Sequence, residues 1–352
     1  MTSADPALTP AEAAEILALR KAEITPLVLP ARAPGQPPMV VLLAGQPGAG
    51  KSTNQKLVQA ALGADSTASY DFDDDPAAHP RYDAIMRANG VNGNDIVDRS
   101  LPPELRGQLL DHLRSDPQYD VVASAPMQSE DAAKAWIDGF RDAGYRVTVV
   151  YVATNEAEST LGVANRYQQA KDDTGVGRWV KEEHHNHAYR GVPDAAHALE
   201  SQGYVDDIYV VDRNGNVLWE NHREADGTME KPPGARDTII AERNRPPTPA
   251  EHQRFVETAL PLRQRGDDLE PPVDEMVRSA MRKQIERPAA APTSHEPAPE
   301  NRLDQRLIDL QRLTSSGIAP PHTMRPPSST QPVRGSGGGH SGRSPSGESL
   351  DR

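Results

Sequence analysis

Residues 45–52 read GQPGAGKS and satisfy the spacing G-x-x-x-x-G-K-[ST], with a third glycine at Gly48. Groups at this spacing are suited to one task, holding a polyphosphate. The glycines let the backbone turn tightly with its N–H groups facing inward, and the helix that should open near Lys51 adds the positive end of its dipole. Lys51 is long enough to reach β- and γ-phosphates. The Ser52 hydroxyl is placed to ligate Mg²⁺, with Thr53 a second hydroxyl beside it. Gly45, Gln46, Pro47, Gly48, Ala49, Gly50, Lys51, Ser52 and Thr53 are therefore the expected nucleotide-binding residues, with ATP as donor and Mg²⁺ as ion.

A phosphate cradle identifies the donor and leaves the reaction open. The run SYDFDDDPAAHPRYD, residues 69–83, gathers Asp71, Asp73, Asp74 and Asp75 where a second strand should end. Carboxyl ends of strands line the ligand crevice of open α/β sheets. An acid there can take a proton from an acceptor hydroxyl or help hold Mg²⁺. Charge building on a phosphoryl group in transit needs cations, and guanidinium matches its oxygens bidentately. Arg166 in STLGVANRYQQA and Arg178 in TGVGRWVKEE fit that need, since both follow the fourth expected strand. Lys181 and Arg190 read as surface charges, and His184, His185 and His187 as a polar helix face without the ligand set of a zinc site.

The elements that must position these groups are legible in outline. Residues 40–43 are a continuous apolar run, as in a strand buried on both faces. Helix 51–62, a strand near 67–72, helices across 82–114, a strand in YDVVASA, a helix at 129–143 and a strand in YRVTVVYVA follow. DDIYVVDRNGNVLWEN then gives a strand, an Asn-Gly turn at Asn214 and Gly215, and a further strand. Strands alternating with helices imply a mostly parallel sheet covered on both faces, expected here to be five-stranded. Ahead of it, Thr9 should cap a helix with Pro10 in its first turn, and PARAPGQPP should be an extended linker.

Composition sets the outer limits. The 352 residues include 36% hydrophobic residues, enough for a sizeable core, but also 33 prolines, and the mean hydropathy is −0.67. One globular domain plus a disordered tail is expected. A formal net charge of −13 argues against nonspecific nucleic-acid binding, which needs a basic footprint. Zero cysteines exclude disulfides and thiolate metal sites. The start MTSADPALTPAEAAEI has neither a basic n-region nor an apolar h-region, and no apolar run approaches membrane-spanning length, so a cytoplasmic location is expected.

Together GQPGAGKS, the acidic run followed by His79-Pro80, and LGVANRY with a further arginine downstream resemble the zeta toxins, bacterial P-loop kinases of toxin–antitoxin systems, over residues 10–245. The resemblance implies that Asp73, six positions before the His-Pro pair, is the general base and that Asp71 accompanies it at the acceptor. It also implies ATP-dependent phosphorylation of UDP-N-acetylglucosamine at its 3′-hydroxyl, which interferes with cell-wall precursor supply, and a separately encoded small helical antitoxin. The chain departs from the family on the acceptor side. Where zeta toxins carry a Glu-Gly-Thr-like element, this chain has VVASAPMQSED, with Ser124 at the Glu position and Pro126 at the Thr position. Ser124 is thus the expected acceptor-binding side chain beside Asp71 and Asp73. A kinase for another small hydroxylated molecule such as an antibiotic, and a nucleotide-dependent binding protein without transfer, are the alternatives.

The expected organisation is a helix and Pro-rich linker at 1–38, a three-layer P-loop kinase-like domain at 39–245, and a helical extension at 246–285. A disordered Pro-, Ser- and Gly-rich tail at 286–352 should contain a short, transient, solvated helix at 300–314.

Overall fold

The computed structural model describes residues 5–115, 119–125, 127–287 and 301–315. Helix α1 (Pro10–Ile24) opens on a capping box: the Thr9 hydroxyl accepts from the Glu12 N–H, and the Glu12 carboxylate accepts from the Thr9 N–H. Strand β1 (Met39–Ala44) is buried along its whole length and feeds helix α2 (Lys51–Leu62). Next come β2 (Thr67–Asp71), α3 (Tyr82–Asn89), α4 (Gly93–Ser100), α5 (Leu105–Ser115), β3 (Asp120–Ser124), α6 (Glu130–Asp142) and β4 (Arg146–Val152). The chain continues through α7 (Glu156–Thr174), α8 (Glu182–Ser201), β5 (Asp207–Val211), β6 (Val217–His222), α9 (Ala235–Asn244), α10 (Pro249–Gln264), α11 (Pro271–Ile285) and α12 (Leu303–Ser315). No described helix is long and apolar enough to cross a membrane.

The fold is α/β, with strand order β2-β3-β1-β4-β5-β6 and β1 at the switch point of the sheet. The first five strands in the chain are parallel, and β6 pairs antiparallel with β5. The sheet is therefore six-stranded instead of five-stranded. The reason is local: the Asp212 carboxylate accepts the backbone N–H groups of Asn214 and Asn216, and Gly215 takes φ +85°. That tight turn returns β6 alongside β5.

Side chains alternate between two cores, as the period of two requires. Val40, Leu42, Val147 and Val149 face one side with Leu109, Ile137, Phe140 and Leu199. Val41, Leu43, Val150 and Val152 face the other, with Val58 and Leu62 of α2. That second core also contains Leu303, Leu307 and Leu310 of α12. The short helix expected to be transient and solvated is thus packed onto α2, and Leu303 N–H donates to the Gly215 carbonyl at 2.9 Å. A third apolar cluster joins α7 to the helical extension through Leu161, Tyr167, Phe255, Val273 and Val277. The expected disordered segment lies mostly outside the described residues.

At the amino ends of the strands, Asp207 is fully buried. It accepts from Arg146 at 2.8 and 2.6 Å, from Thr148 at 3.0 Å and from His222 Nδ1 at 2.8 Å. Burial acts to lower the His222 pKa, but the hydrogen bond and charge of Asp207 outweigh it and hold the imidazolium above its ordinary value of 6.5. A raised histidine contributes stability that is fully present below pH 6.5 and is lost as pH rises through the folded-state value. His222→Gln should therefore lower the melting temperature more below pH 6.5 than at about pH 8. Melting curves across that range check this, and an equal loss at every pH would contradict it.

Candidate active site

The phosphate loop follows β1 into α2, at the carboxyl end of the central strand. Its glycines are required by geometry. Gly48 has φ +76°, and a Cβ there would lie 2.1 Å from the Ser159 carbonyl oxygen. Gly50 has φ +102°, with Arg213 Cγ 3.0 Å from the position a Cβ would take. Gly45, Pro47, Gly48, Gly50, Lys51, Ser52 and Thr53 line a cleft of about 560 Å³. Lys51 Nζ donates to the carbonyls of Gly45 at 2.9 Å and Gln46 at 3.2 Å. Burial pushes its pKa down, against the attraction of Asp73 and Asp71.

Two motif positions turn their side chains away from the cleft. Gln46 is fully buried; its amide donates to the Thr154 carbonyl at 2.8 Å and to Ser159 at 3.2 Å, and its oxygen accepts from Arg243 at 2.8 Å. Ala49 packs into the second core, and its carbonyl accepts from the Thr154 hydroxyl at 2.7 Å. Arg243 lies over the Tyr189 ring at 4.1 Å, and burial pushes its pKa down to about 10. These contacts brace the loop from beneath.

The acidic run forms a short 3₁₀ segment after β2, capped by Asp71, whose carboxylate accepts the Asp73 N–H at 3.0 Å. Asp71 and Asp73 both line the cleft. Burial, reinforced by the adjacent Asp73 charge, pushes Asp71 up to about 6. Asp74 and Asp75 line no part of it. Asp75 is buried and accepts from Arg20 of α1 at 3.0 Å and from the Tyr70 hydroxyl at 2.9 Å. His79 is also buried; its ring bonds the Pro6 carbonyl at 3.0 Å and accepts the Arg81 N–H at 3.0 Å. The N-terminal segment thus anchors the acidic turn from behind.

Arg166 and Arg178 both reach the cleft. Arg178 pairs with the Asp73 carboxylate and donates to the Asp73 carbonyl at 2.5 Å. Arg166 makes no hydrogen bond or ion pair with the described residues. Surrounding protein and the Arg178 charge push its pKa down, so an anion here would neutralise it. Ser124 does not reach the cleft. It is 1% exposed, and its hydroxyl donates to Gln55 of α2 at 2.8 Å. Ala125 and Gln128 line the cleft beyond this strand end instead, while Pro126 lies outside the described residues.

The cleft also contains groups that sequence reading missed or set aside. Lys181 bonds Asp95 at 2.6 Å on the cleft wall, and His184 and His187 line it too, whereas His185 is buried against the Ser159 hydroxyl at 2.9 Å. Arg213, just past β5, follows from the strand-end rule that located the acidic run. Asp95 and Asp98 come from α4 and carried no comparable sequence signal.

A second cavity of about 490 Å³ adjoins the first. It shares Phe72, Asp73, Asp98 and Arg178 with the cleft, and Arg106 lines its far side. The Arg106 guanidinium lies 4.3 Å from the Phe72 ring centre and makes no hydrogen bond or ion pair with the described residues. Asp73 therefore stands on a wall common to two spaces, one floored by the phosphate loop.

Residues 29–224 match the zeta toxin family. Toxin PezT of Streptococcus pneumoniae serotype 4 is 23% identical over 188 residues, covering 52% of this chain and 72% of PezT. A solved structure from the PezAT chromosomal toxin-antitoxin system of the human pathogen Streptococcus pneumoniae is similar with a TM-score of 0.55 and 18% identity, covering 81% of this chain and 99% of that one. That likeness shows a common fold. Zeta toxins are kinase-like P-loop enzymes, and the match takes in more than half of the 352 residues: this chain belongs to the zeta toxin family.

Proposed function

We propose that the protein is an ATP-dependent kinase that phosphorylates a hydroxyl of a nucleotide sugar, with the 3′-hydroxyl of UDP-N-acetylglucosamine the first candidate. The observation that carries this reading is the position of Asp73 on the wall shared by the phosphate-loop cleft and the second cavity. Donor and acceptor would meet there. Asp73 takes the proton of the acceptor hydroxyl, whose oxygen forms the new bond to the γ-phosphorus while the bond to the β,γ-bridging oxygen breaks, leaving ADP. Lys51 and the loop N–H groups hold the β- and γ-phosphates. Arg166 and Arg178 offset the charge that develops on the phosphoryl group in transit.

The residues present fit Mg²⁺. The Ser52 and Thr53 hydroxyls line the cleft and make no hydrogen bond with the described residues, so hard oxygen donors stand free where such an ion binds. Ser52 would hold it, and the bound ion would neutralise β- and γ-phosphate oxygens. Arg106 supports an acceptor carrying an anionic group, such as the diphosphate of a nucleotide sugar, over a cationic antibiotic. A separately encoded small helical antitoxin is the proposed partner, in keeping with the toxin-antitoxin system from which the similar structure comes. The test is to identify, by mass spectrometry, the product formed from ATP and a panel of nucleotide sugars.

A further inference from the structure

Helix α1 turns Ile16, Arg20 and Ile24 into the protein, at the i, i+4, i+8 spacing of one helix face. A guanidinium in the middle of an apolar stripe is costly to bury unless its donors are met. Arg20 is 7% exposed, and three acceptors meet it. Its Nε donates to the Asp75 carboxylate at 3.0 Å, one terminal nitrogen donates to Glu23 at 2.6 Å, and the other donates to the Asp71 carbonyl at 3.4 Å. Helix α1 lies ahead of residue 29, where the family match begins.

Two of these acceptors flank Asp73. The Asp71 carbonyl stands two residues before it, and the Asp75 carboxylate two residues after. Asp75 is held from a second direction by the Tyr70 hydroxyl, which donates to it at 2.9 Å. Tyr70 is itself fully buried, with its ring stacked on Trp136 at a centroid distance of 6.2 Å. Both ends of the 3₁₀ turn that carries Asp73 are thereby tied to packed elements, α1 on one side and β2 on the other. On the cleft side Asp73 pairs with Arg178, which belongs to the segment between α7 and α8.

We propose that Arg20 is a positioning residue for phosphoryl transfer: by holding the chain on both sides of Asp73 it keeps that carboxylate on the wall common to the two cavities. The proposal rests on the reaction proposed above, with Asp73 as the base. During transfer the phosphoryl group competes with Asp73 for Arg178, and the hold from Arg20 behind the turn remains. A reacting group displaced by about 1 Å can cost about 10²-fold in rate, so a loosened turn should be felt in the chemistry before it is felt in donor binding.

Two readouts on the full chain test this. Hydrogen exchange followed by mass spectrometry reports the turn. Single-turnover transfer from saturating ATP with Mg²⁺ to the nucleotide sugar that the parent phosphorylates, UDP-N-acetylglucosamine being the first probe, reports the chemistry; it is divided by the ATP sites counted by calorimetry, so that unfolded molecules do not contribute. Arg20→Gln should speed exchange in peptides covering residues 71–79 at least about fivefold and leave residues 45–52 within about twofold. Its turnover per site should fall at least about tenfold. Thr9→Ala, which removes the α1 cap and no contact of Arg20, should lower the melting temperature and leave turnover per site within about twofold. Parental turnover per site in Arg20→Gln, parental exchange of its turn, or an equal slowing in Thr9→Ala would overturn the positioning role while leaving Asp73 as the base. If Arg20→Gln does not fold, Arg20→Lys decides, because its single nitrogen keeps the charge beside Asp75 but cannot hold both flanks at once. Exchange of the turn and slowing of turnover that both change at least about threefold uphold the proposal, and a parental value of either overturns it. A parent that transfers phosphate to no nucleotide sugar would overturn the reaction reading, and this proposal with it.

Discussion

Asp73→Asn should slow phosphoryl transfer at least about 10²-fold while leaving ATP affinity within about twofold of the parent. The asparagine oxygen can still accept from Arg178, which pairs with Asp73 and bonds its carbonyl at 2.5 Å, so the wall between the two cavities should keep its shape. What is lost is the group that takes the proton. Asp74→Asn is the matched control, because Asp74 is exposed and lines neither cavity; its turnover should stay within about threefold. Single-turnover kinetics with saturating ATP check both variants. Parental turnover in Asp73→Asn would move the base to another carboxylate of the cleft, with Asp71 and Asp98 next in position.

Leu307→Ala should destabilise the protein by about 2–5 kcal/mol, the usual cost of truncating a fully buried leucine. Leu307 is 0% exposed in the core shared with Val41, Leu43 and Val58. A loss of that size lowers the melting temperature of a chain this large by roughly 2–4 °C per kcal/mol. Gln305→Ala, on the exposed face of the same helix, should change stability by no more than about 0.5 kcal/mol. Denaturant or thermal unfolding of the two variants decides the matter, and a Leu307→Ala protein as stable as the parent would mean that α12 is not a core element.

The difference between what was legible in the sequence and what was not follows the range of the interactions involved. The phosphate loop is a local device, so the spacing of Gly45, Gly50, Lys51 and Ser52 was enough to locate it, and helix 51–62 has the expected bounds. The acidic run was placed correctly at a strand end, but four neighbouring aspartates look alike until tertiary contacts sort them. Asp71 and Asp73 face the cleft, whereas Asp75 is taken up by Arg20 and Tyr70. Ser124 illustrates the same limit. Side chains alternate along β3, so Ser124 shares a face with Val122 against α2 and meets Gln55 there; its position at a strand end did not reveal that direction. For α12, the leucine stripe was visible, but a stripe does not name the surface that covers it. The family resemblance rests partly on His79-Pro80, yet His79 is buried behind the turn, where it secures the N-terminal segment.

The most direct test of the account is the product formed when the full chain is incubated with ATP, Mg²⁺ and UDP-N-acetylglucosamine, with Asp73→Asn as the blank. The account predicts stoichiometric ADP and a nucleotide sugar that has gained one phosphoryl group, with NMR placing it on the 3′-oxygen, and no such product from the blank. ATP consumed without phosphate appearing on any nucleotide sugar in the panel would contradict it.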